Sequence, residues 1–527
     1  MAGWRPRPTE LIPPLLSMTI NPNSAFSKVF CDTDLRNEKV YPRFILGAEF
    51  ENFRHIPNLE IKFESPVTVI SGSNKTGKTT VLLSIACSHF DFKKRNYTNG
   101  KLERQTWSDV MKITKHDKQT FDWTYHLSIK TGAKIERKRG QRKKDTKKWN
   151  GLAKKESQIK GVNVVYLDLD RILPARHHSP VLHKKARDAE GGAVSAEKQA
   201  FIEECLSYVL EEKYSLKKLA EHLGKDLLGY SASNSYSSYN SASGEDVLSR
   251  MLIDCIDAPK KSLILIDELE LGLHPKIQRR LMDVIFEVSR RDEKQFVVTS
   301  HSPTVISSVP DFARVFIDSN NGDRKTISPI SINAALSKMD SIAHPLVDVF
   351  CEDDCSRRII NKALQVVEGR RVAGFSSKLI NVIESGVADK TYQNFVVRSR
   401  IFDKVTIRSG HACVLDGDML GKKDKEGNEI YPQQDGLFFL PGGMAPEKFL
   451  CDLYEKNNPN VTLRYHIEES NPHCLFAKMV ECCGIVDESS AFEACWQELQ
   501  KSEFWNAEFD KLADFLVEEC RRFSPDL

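Results

Sequence analysis

Ten consecutive residues, SGSNKTGKTT from Ser71 to Thr80, have the types and spacing needed to hold a phosphate group. Residues 72–79 fit the pattern GxxxxGK[ST] without a gap, between the apolar run ESPVTVI and the helix-like start VLLSIA. The glycines let backbone N–H groups face phosphate oxygens, Lys78 supplies a cation, and Thr79 offers a hydroxyl to magnesium. With ATP and Mg²⁺ as the cofactors, the predicted nucleotide-binding residues are Gly72, Ser73, Asn74, Lys75, Thr76, Gly77, Lys78, Thr79 and Thr80.

Acidic residues after a second apolar run can complete the chemistry of hydrolysis. In LILIDELE, the apolar run ends at Asp267, which is predicted to hold magnesium together with Thr79. Glu268 follows it and is predicted to orient or deprotonate the attacking water. His301, in FVVTSHSP, would follow a neighbouring strand, where it can hydrogen-bond the γ phosphate. The pattern therefore predicts catalytic roles for Glu268 and His301.

The surrounding sequence predicts the strands and helices that must position these residues. Residues 44–70 alternate in the manner of two or three strands leading into the glycine loop. The runs GVNVVYLDLD, LILI and QFVVT predict further strands of a largely parallel sheet. Residues 196–224 have helical spacing with a glycine stop at Gly224, and a serine-rich stretch follows. The fold class indicated by this order is α/β.

A second α/β unit is predicted near residue 340, and the rest of the chain is mainly helical. HPLVDVFCEDD and ACVLDGD predict strands, with the helix RRIINKALQVV between them, and the pattern becomes helical from about residue 456. A length of 527 residues agrees with several units rather than one core. No run of about 18 apolar residues is present, which argues against a membrane protein.

Cysteine usage indicates the redox environment. The thirteen cysteines are odd in number and scattered, and their closest groupings lack the partners of a zinc site. Reduced thiols in a cytoplasmic protein are the simplest interpretation.

Positive charge is concentrated in residues 134–160. This segment, predicted as a loop, holds twelve Lys or Arg residues against three acids, although the net charge of the whole chain is only +3. One interpretation is a solvated loop without a partner. The other is a loop that attracts the phosphates of a nucleic acid without reading its sequence.

The segments GSNKTGKT, LILIDELELGLHP and TSHSP together resemble the ABC-type ATPase head of the OLD (overcoming lysogenization defect) nucleases, which include antiphage defence proteins. They are more distantly similar to the heads of SMC proteins, but no sustained heptad run follows the glycine loop here. The resemblance covers roughly residues 44–320 and implies a P-loop ATPase.

The resemblance also implies that ATP lies between two heads and that a signature segment of one head meets the phosphates on the other. Ser243, Gly244 and Glu245, in NSASGEDVLSRML, stand at the matching position and are predicted to contact the nucleotide. Ala242 replaces the serine that is usual in this signature. The loop ELGLHP, with His274, matches the segment that crosses the dimer interface. A homodimer or higher homo-oligomer is therefore expected.

In OLD relatives the carboxyl-terminal half is a Toprim domain, a metal-dependent phosphodiesterase. Glu352 in LVDVFCEDD and Asp416 and Asp418 in ACVLDGD match its acidic positions, and the resemblance implies that they are catalytic and bind Mg²⁺. Glu447, in LPGGMAPEKFL, resembles a further metal-binding acid of this family. Asp353 and Ser356 depart from the usual glycine and acid, and Asp354 is a candidate to replace the missing acid. A Toprim fold kept only as a scaffold is the alternative.

These observations predict four regions. They are an N-terminal arm (1–43), an ABC/OLD-type ATPase domain (44–335), a Toprim-like domain (340–455) and a helical C-terminal region (456–527).

Two functions follow from the resemblance. In the first, the chain is the ATP-hydrolysing component of an antiphage system, and its nucleotide state controls a separate HNH-type effector nuclease, as in Septu-type and retron-linked systems with a reverse transcriptase and its RNA. In the second, the chain is itself an OLD-type nuclease that cuts DNA or RNA with Glu352, Asp416, Asp418 and Mg²⁺.

Overall fold

The computed structural model describes residues 20–31, 35, 39, 41–95, 102–173, 175, 180–320, 323–339, 344–370, 372, 375–402, 410–502 and 508–523. The chain divides into two compact units, Met1–Met339 and Asp340–Leu527. None of the helices in these described stretches is long and apolar enough to cross a membrane.

The first unit contains several sheets, and its strands are defined in chain order. They are β1 (Arg43–Phe53), β2 (Ile56–Lys62), β3 (Val67–Gly72), β4 (Lys93–Arg95), β5 (Leu102–Arg104), β6 (Trp123–Thr131), β7 (Lys134–Arg142), β8 (Trp149–Gly151), β9 (Val164–Leu167), β10 (Ser215–His222), β11 (Lys225–Ser231), β12 (Ser235–Ser237), β13 (Leu263–Ile266), β14 (Gln295–Thr299), β15 (Arg314–Asn320) and β16 (Asp323–Ile327).

The helices of the first unit lie between these strands. They are α1 (Pro22–Phe30), α2 (Lys78–Cys87), α3 (Trp107–Val110), α4 (Pro180–Ala186), α5 (Gln199–Leu210), α6 (Ser243–Asp257), α7 (Pro275–Asp292), α8 (Pro303–Ser307) and α9 (Ile332–Met339). Of the predicted N-terminal arm, residues 1–19 lie outside the described residues, whereas α1 is helical and packs Phe26 and Phe30 against Phe286 of α7.

A six-stranded sheet in the order β16-β15-β3-β14-β13-β9 forms the centre of the first unit. All its neighbouring strands are parallel except the β15–β16 pair. Strands β3, β13 and β14 are buried along their whole length, which explains why the runs VTVISG, LILI and QFVVT are apolar without strict alternation. The predicted parallel sheet is therefore present.

An antiparallel sheet, β2-β1-β6-β7-β8, packs over the glycine-loop side of the core. Phe53, Trp107 and Tyr125 are fully buried in this core. Strand β7 is part of the segment 134–160, so the prediction of a loop there is wrong for residues 134–142. The reason is that β7 pairs along its whole length with β6, and this pairing satisfies the backbone of a sequence that is too charged to look like a strand.

The helix predicted for residues 196–224 is also wrong in its second half. Helix α5 ends at Leu210, and β10 and β11 then form an antiparallel hairpin. Leu223 and Gly224 both have positive φ, 49° and 74°, as the two central residues of a tight hairpin turn require. Gly224 is thus a turn residue of a hairpin and not the end of a helix.

The second unit is built on a parallel sheet, and its elements are again defined in chain order. The strands are β17 (Val347–Cys351), β18 (Ile380–Glu384), β19 (Gly410–Leu415) and β20 (Leu437–Phe439), and the helices are α10 (Asp354–Gly369), α11 (Ala388–Ile401), α12 (Pro446–Asn457), α13 (Val461–Glu469), α14 (Leu475–Cys483), α15 (Glu488–Gln500) and α16 (Asp510–Phe523). The strand order is β18-β17-β19-β20, with parallel neighbours throughout.

Candidate functional site

The first candidate site lies at the carboxyl-terminal ends of β3, β14 and β13, which are neighbours in the central sheet. Strand β3 leads into the glycine loop, β13 leads into Asp267, and β14 ends at Thr299. In open α/β sheets this edge is where ligands bind, because the connections leave room there and helix N-termini point towards it. The sheet order therefore brings the three predicted motifs of the first unit to one edge.

The glycine loop has the backbone conformation that its glycines permit. Gly72 and Gly77 have φ of 143° and 112°. A Cβ added at Gly72 would lie 2.5 Å from the carbonyl oxygen of Ile317, so that position has no room for a side chain. Helix α2 begins at Lys78, immediately after Gly77, which directs its N-terminal N–H groups towards the loop.

Lys78 folds back over the loop. Its Nζ donates to the carbonyl oxygens of Gly72 (2.9 Å) and Ser73 (3.2 Å). Burial lowers the pKa of Lys78, and the charges of Glu268, Asp267 and Glu270 partly offset that effect. These contacts hold the ammonium group in the loop where the phosphates would lie.

A chain of hydrogen bonds joins the predicted metal-binding and catalytic residues. The Thr79 hydroxyl donates to Asp267 Oδ2 at 2.8 Å, and the Thr299 hydroxyl donates to Asp267 Oδ1 at 2.6 Å. Thr299 Oγ1 also accepts the backbone N–H of Glu268 at 2.8 Å. One oxygen of Asp267 is thus directed towards Thr79 and the other towards Thr299 at the end of β14. The Thr79 hydroxyl and the Asp267 carboxylate face each other, as the coordination of magnesium would need.

Glu268 and His301 face each other beside this chain. His301 Nε2 lies 3.4 Å from Glu268 Oε1, and the Glu268 backbone is in the left-handed region with φ of 49°. Burial raises the pKa of Glu268, but the close approach and charge of His301 and the charge of Lys78 outweigh it, so the pKa is lowered overall. Glu268 is therefore held as a carboxylate, the form that can accept a proton from water.

Three residues of this site were not predicted from the sequence. Glu270 accepts the backbone N–H of His301 at 2.6 Å and the hydroxyl of Ser300 at 2.8 Å, and so positions the loop after β14. Arg171 donates to the backbone carbonyls of Asp267 (2.8 Å) and Glu268. Thr299 bridges Asp267 and Glu268. Only Glu270 had a local signal, as the third acid of DELE.

The predicted signature residues begin helix α6. Gly244 packs closely, because an added Cβ would lie 2.6 Å from the carbonyl oxygen of Gly272. Glu245 is buried and accepts a hydrogen bond from the Tyr236 hydroxyl at 2.6 Å. Within the described part of the chain, no hydrogen bond joins Ser243, Gly244 or Glu245 to residues 72–80 of the same chain. Their contact with nucleotide stays a prediction.

The second candidate site lies at the carboxyl-terminal ends of β17 and β19. Glu352 Oε1 accepts the backbone N–H of Asp416 at 2.8 Å, and Asp416 Oδ1 accepts the Ser356 hydroxyl at 2.7 Å. Glu352 and Asp416 are buried, whereas Asp418 is exposed in the turn after β19. The structure thus brings Glu352 and Asp416 together, 64 residues apart in sequence.

Burial and mutual repulsion disfavour the ionised form of these carboxyl groups. Burial and then the negative charge of Glu352 raise the pKa of Asp416 to about 8. Burial also raises the pKa of Glu352 to about 6. The hydrogen bond from the backbone N–H of Asp416 opposes this rise, and the negative charge of Asp418 adds to it. A divalent cation would relieve this repulsion, so the residues fit the magnesium ion that the OLD resemblance implies.

The other acids near this site have different partners. Asp354 forms ion pairs with Arg357 and Arg358, and its role in place of the missing acid stays a prediction. Ser356 donates a hydrogen bond to Asp416. Glu447 lies beside Asp353 and His473, with its Oε1 3.1 Å from His473 Nδ1. No sequence motif pointed to His473, which is 26 residues from Glu447.

Two family models match parts of the first unit. Residues 49–223 match the family described as "AAA domain", and residues 179–307 match the family described as "AAA domain, putative AbiEii toxin, Type IV TA system". The prediction of a P-loop ATPase domain in a mixed α/β fold is therefore confirmed. No curated protein matches the chain.

Solved structures with partial similarity are also found. An SMC head bound to the C-terminal winged-helix domain of ScpA has 15% identity and a TM-score of 0.38, over 56% of this chain and 99% of that chain. The SMC head domain from Thermotoga maritima has 14% identity and a TM-score of 0.33, over 54% and 98%. The recombination mediator RecF has 12% identity and a TM-score of 0.33, over 55% and 99%.

Proposed function

We propose that this chain binds and hydrolyses ATP with Mg²⁺ as a component of an antiviral defence system, and that its nucleotide state controls a nuclease. The hydrogen-bond chain from Thr79 through Asp267 and Thr299 to Glu268 is the observation that supports hydrolysis most directly. A hydroxyl and a carboxylate that suit magnesium, and a second carboxylate that suits a base, lie together beside the phosphate loop. Such an arrangement is needed for phosphoryl transfer to water.

Each residue then has a definite task. Lys78 and the N-terminus of α2 balance the charge of the β and γ phosphates. Thr79 and Asp267 hold magnesium, which when bound supplies positive charge to the phosphate oxygens. Glu268 accepts a proton from the attacking water or orients it, and His301 hydrogen-bonds the γ phosphate while it stabilises the carboxylate of Glu268.

The control would come from a second copy of the chain. The N-terminus of α6, with Ser243 and Gly244, presents backbone N–H groups that suit a phosphate of the partner head. ATP would then join two heads, and hydrolysis would release them. A homodimer or higher homo-oligomer follows from this proposal.

The defence role rests on two likenesses. The phosphate loop, the Asp267 strand and TSHSP resemble OLD-type ATPases, which include antiphage proteins. The description of one matched family also names a putative toxin, and a toxin is a protein that must be restrained until it is needed. An ATP-dependent head dimer is a suitable restraint on an HNH-type effector nuclease, and a retron-type reverse transcriptase with its RNA is a candidate further partner.

ATP turnover and phage plating on the same variant test this proposal. Lys78→Ala should abolish ATP binding and turnover and also remove protection against phage in cells that carry the chain with its neighbouring genes. Lys62→Ala, at an exposed lysine of β2 outside the phosphate loop, serves as the control. Protection that survives Lys78→Ala would contradict the link between nucleotide state and defence.

A second candidate function is nuclease activity in the chain itself. The convergence of Glu352 and Asp416 at the ends of β17 and β19 favours it, since two buried carboxylates can bind a cation that activates water. Purified chain with Mg²⁺ or Mn²⁺ should then cut plasmid DNA or RNA, and Asp416→Ala should stop it. Cleavage only after an HNH-type partner is added would favour the regulatory function instead.

The positive segment 134–160 supplies a surface for the nucleic acid in either case. Lys143, Lys144, Lys147 and Lys148 are exposed in the turn between β7 and β8. Lysines at the tip of a hairpin can contact phosphates without reading bases. Changing these lysines to Ser should weaken nucleic-acid binding uniformly across sequences and leave ATP turnover without nucleic acid unchanged.

A further inference from the structure

Three side chains from separate elements of the second unit converge on one point. Asp353 is the N-cap of α10, Glu447 lies in the first turn of α12, and His473 lies in the short 3-10 helix Pro472–Cys474. One ligand atom from each of these residues lies within 4.8 Å of the others. An oxygen, an oxygen and an imidazole nitrogen therefore face a common volume.

The separations between these atoms suit a small divalent cation. His473 Nδ1 lies 3.1 Å from Glu447 Oε1 and 3.4 Å from Asp353 Oδ2. Metal–nitrogen and metal–oxygen bonds of about 2.1 Å place neighbouring ligand atoms about 3.0 Å apart in an octahedron and about 3.4 Å apart in a tetrahedron. The two separations that involve His473 fall at these values, and all three ligand atoms lie within 4.8 Å of one another, as ligands of one ion require.

The charge of the cluster also suits a bound cation. Glu447 is only 4% exposed, and its Oε2 is buried without a hydrogen-bond partner among the described residues. In the same described residues, His473 is the only cationic side chain within ion-pair distance of Asp353 or Glu447. A buried carboxylate oxygen without a partner is costly, and a hydrogen bond from His473 to Oε1 alone leaves that cost in place.

The surroundings hold two of the ligands in place. Asp353 Oδ1 accepts the backbone N–H of Ser356 at 2.9 Å, which leaves Oδ2 turned towards His473. The side chain of Asn471 accepts the backbone N–H of His473 at 3.1 Å and so fixes the turn that presents the imidazole. Supporting contacts of this kind hold ligands ready before the ion binds.

We propose that Asp353, Glu447 and His473 form a divalent-cation site that prefers a borderline ion such as Mn²⁺ or Zn²⁺ to Mg²⁺. Imidazole nitrogen favours such ions, whereas Mg²⁺ prefers a shell of oxygens alone. The OLD resemblance implies a metal-binding role for Glu447 alone among these three residues. The ligand set with Asp353 and His473, and its ion preference, go beyond that resemblance and beyond the proposed function. This inference requires neither ATP hydrolysis nor nuclease activity.

Pulsed EPR of Mn²⁺ bound to the untagged full chain tests the imidazole ligand directly. The wild-type protein should show magnetic coupling between Mn²⁺ and a ¹⁴N nucleus, and labelling of the histidines with ¹⁵N should change that coupling. His473→Ala should remove it. His466→Ala changes another partly exposed histidine of the same unit and should leave it intact. Absence of the coupling in the wild type, or its persistence in His473→Ala, would overturn the proposal.

Affinity measurements test the ion preference. In competition with a chromophoric chelator, His473→Ala should weaken Zn²⁺ binding at this site at least about 100-fold, because even residues that only support metal ligands are worth about 10- to 100-fold. Mg²⁺ affinity should change much less. Glu447→Gln should weaken both ions, and its circular dichroism should match the wild type. Equal losses of Zn²⁺ and Mg²⁺ in His473→Ala, or no loss of Zn²⁺, would refute the preference.

The readouts separate this inference from the proposed function. A chain that binds Mn²⁺ through His473 but neither cuts nucleic acid nor hydrolyses ATP would support the inference and refute the function. A chain that hydrolyses ATP and cuts nucleic acid without nitrogen coupling would do the reverse.

Discussion

The two candidate sites share one architecture but differ in how charge is balanced. Both place buried acids at the carboxyl-terminal ends of parallel strands. In the first unit, His301 and Lys78 lower the pKa of Glu268 despite its burial. In the second unit, burial and the repulsion from Glu352 raise the pKa of Asp416 to about 8. The same sheet edge can therefore hold a carboxylate in balance with protein cations, or buried carboxyl groups that keep a proton to a higher pH.

The largest predicted effect concerns the site of the first unit, where His301 and Lys78 lower the pKa of Glu268. Glu268→Gln keeps the shape of the side chain but removes its negative charge and its ability to accept a proton, so ATP turnover should fall about 10²- to 10⁴-fold while ATP still binds. Measurement of turnover and of nucleotide retained on the protein checks this. Glu156→Gln, a change at an exposed acid of the same unit, should leave both unchanged. Normal turnover in Glu268→Gln would remove Glu268 from the chemistry.

The buried carboxyl groups of Glu352 and Asp416 should make the second unit less stable as the pH rises. The pKa of Asp416 in the folded chain is about 8, against 3.8 ordinarily, so the folded state holds a proton that the unfolded state has already lost. Without divalent cations, stability should therefore fall by about 2–5 kcal/mol between pH 4 and pH 8.

Hydrogen exchange of the second unit in the presence of a chelator measures this slope. Asp416→Asn should flatten it, whereas Asp435→Asn, at an exposed acid of the same unit, should not. A slope of opposite sign in the wild type would show that the carboxylates have a cationic partner, and the contrast between the two sites would fail.

Added cations should stabilise the second unit more than the first. With Mg²⁺ or Mn²⁺ at about 100 times its dissociation constant and no nucleotide, the second unit should gain about 2.7 kcal/mol. The gain should increase with pH as the carboxylates ionise, and Asp416→Asn should reduce it. Equal protection of both units in hydrogen exchange would contradict the comparison.

The smallest predicted effect concerns the packing of the signature helix. Gly244→Ala would place a methyl group against the carbonyl oxygen of Gly272, and should destabilise the first unit by about 1–3 kcal/mol. Gly192→Ala is a matched control, because a Cβ there has no neighbour within 4 Å. Thermal unfolding of both variants should show a loss only for Gly244→Ala. Equal melting temperatures would mean that the loop around Gly272 moves freely.

Much of the first site could be predicted because most of its functional residues lie in short contiguous motifs. The spacing of Gly72, Gly77 and Lys78 demands one loop conformation, and an apolar strand before Asp267 predicts its position at a sheet edge. Thr299 and Arg171 could not be predicted in the same way. Each acts through contacts with residues that are distant in sequence, and a threonine at the end of a strand is common in any fold.

The errors in secondary structure have a local cause. Residues 211–224 contain Leu and Ala at spacings that suit both a helix and a hairpin, so periodicity alone does not decide between them. In the structure, Glu211, Leu223 and Gly224 have positive φ, which a continuous helix does not accommodate. The strand β7 is likewise charged on its exposed face, and only its pairing with β6 shows that it is a strand.

The sequence by itself determined the phosphate loop, the strands that lead into it and the acids that follow Asp267, because those properties depend on neighbouring residues. Only the tertiary structure decided which acids are neutralised and which are not. His301 lies beside Glu268, and the charge of Lys78 acts on it. In the second unit, Glu352 accepts the backbone N–H of Asp416, and Glu447 lies beside Asp353 and His473. Charge balance depends on distances between remote residues, and these are fixed when the sheet and the helices pack.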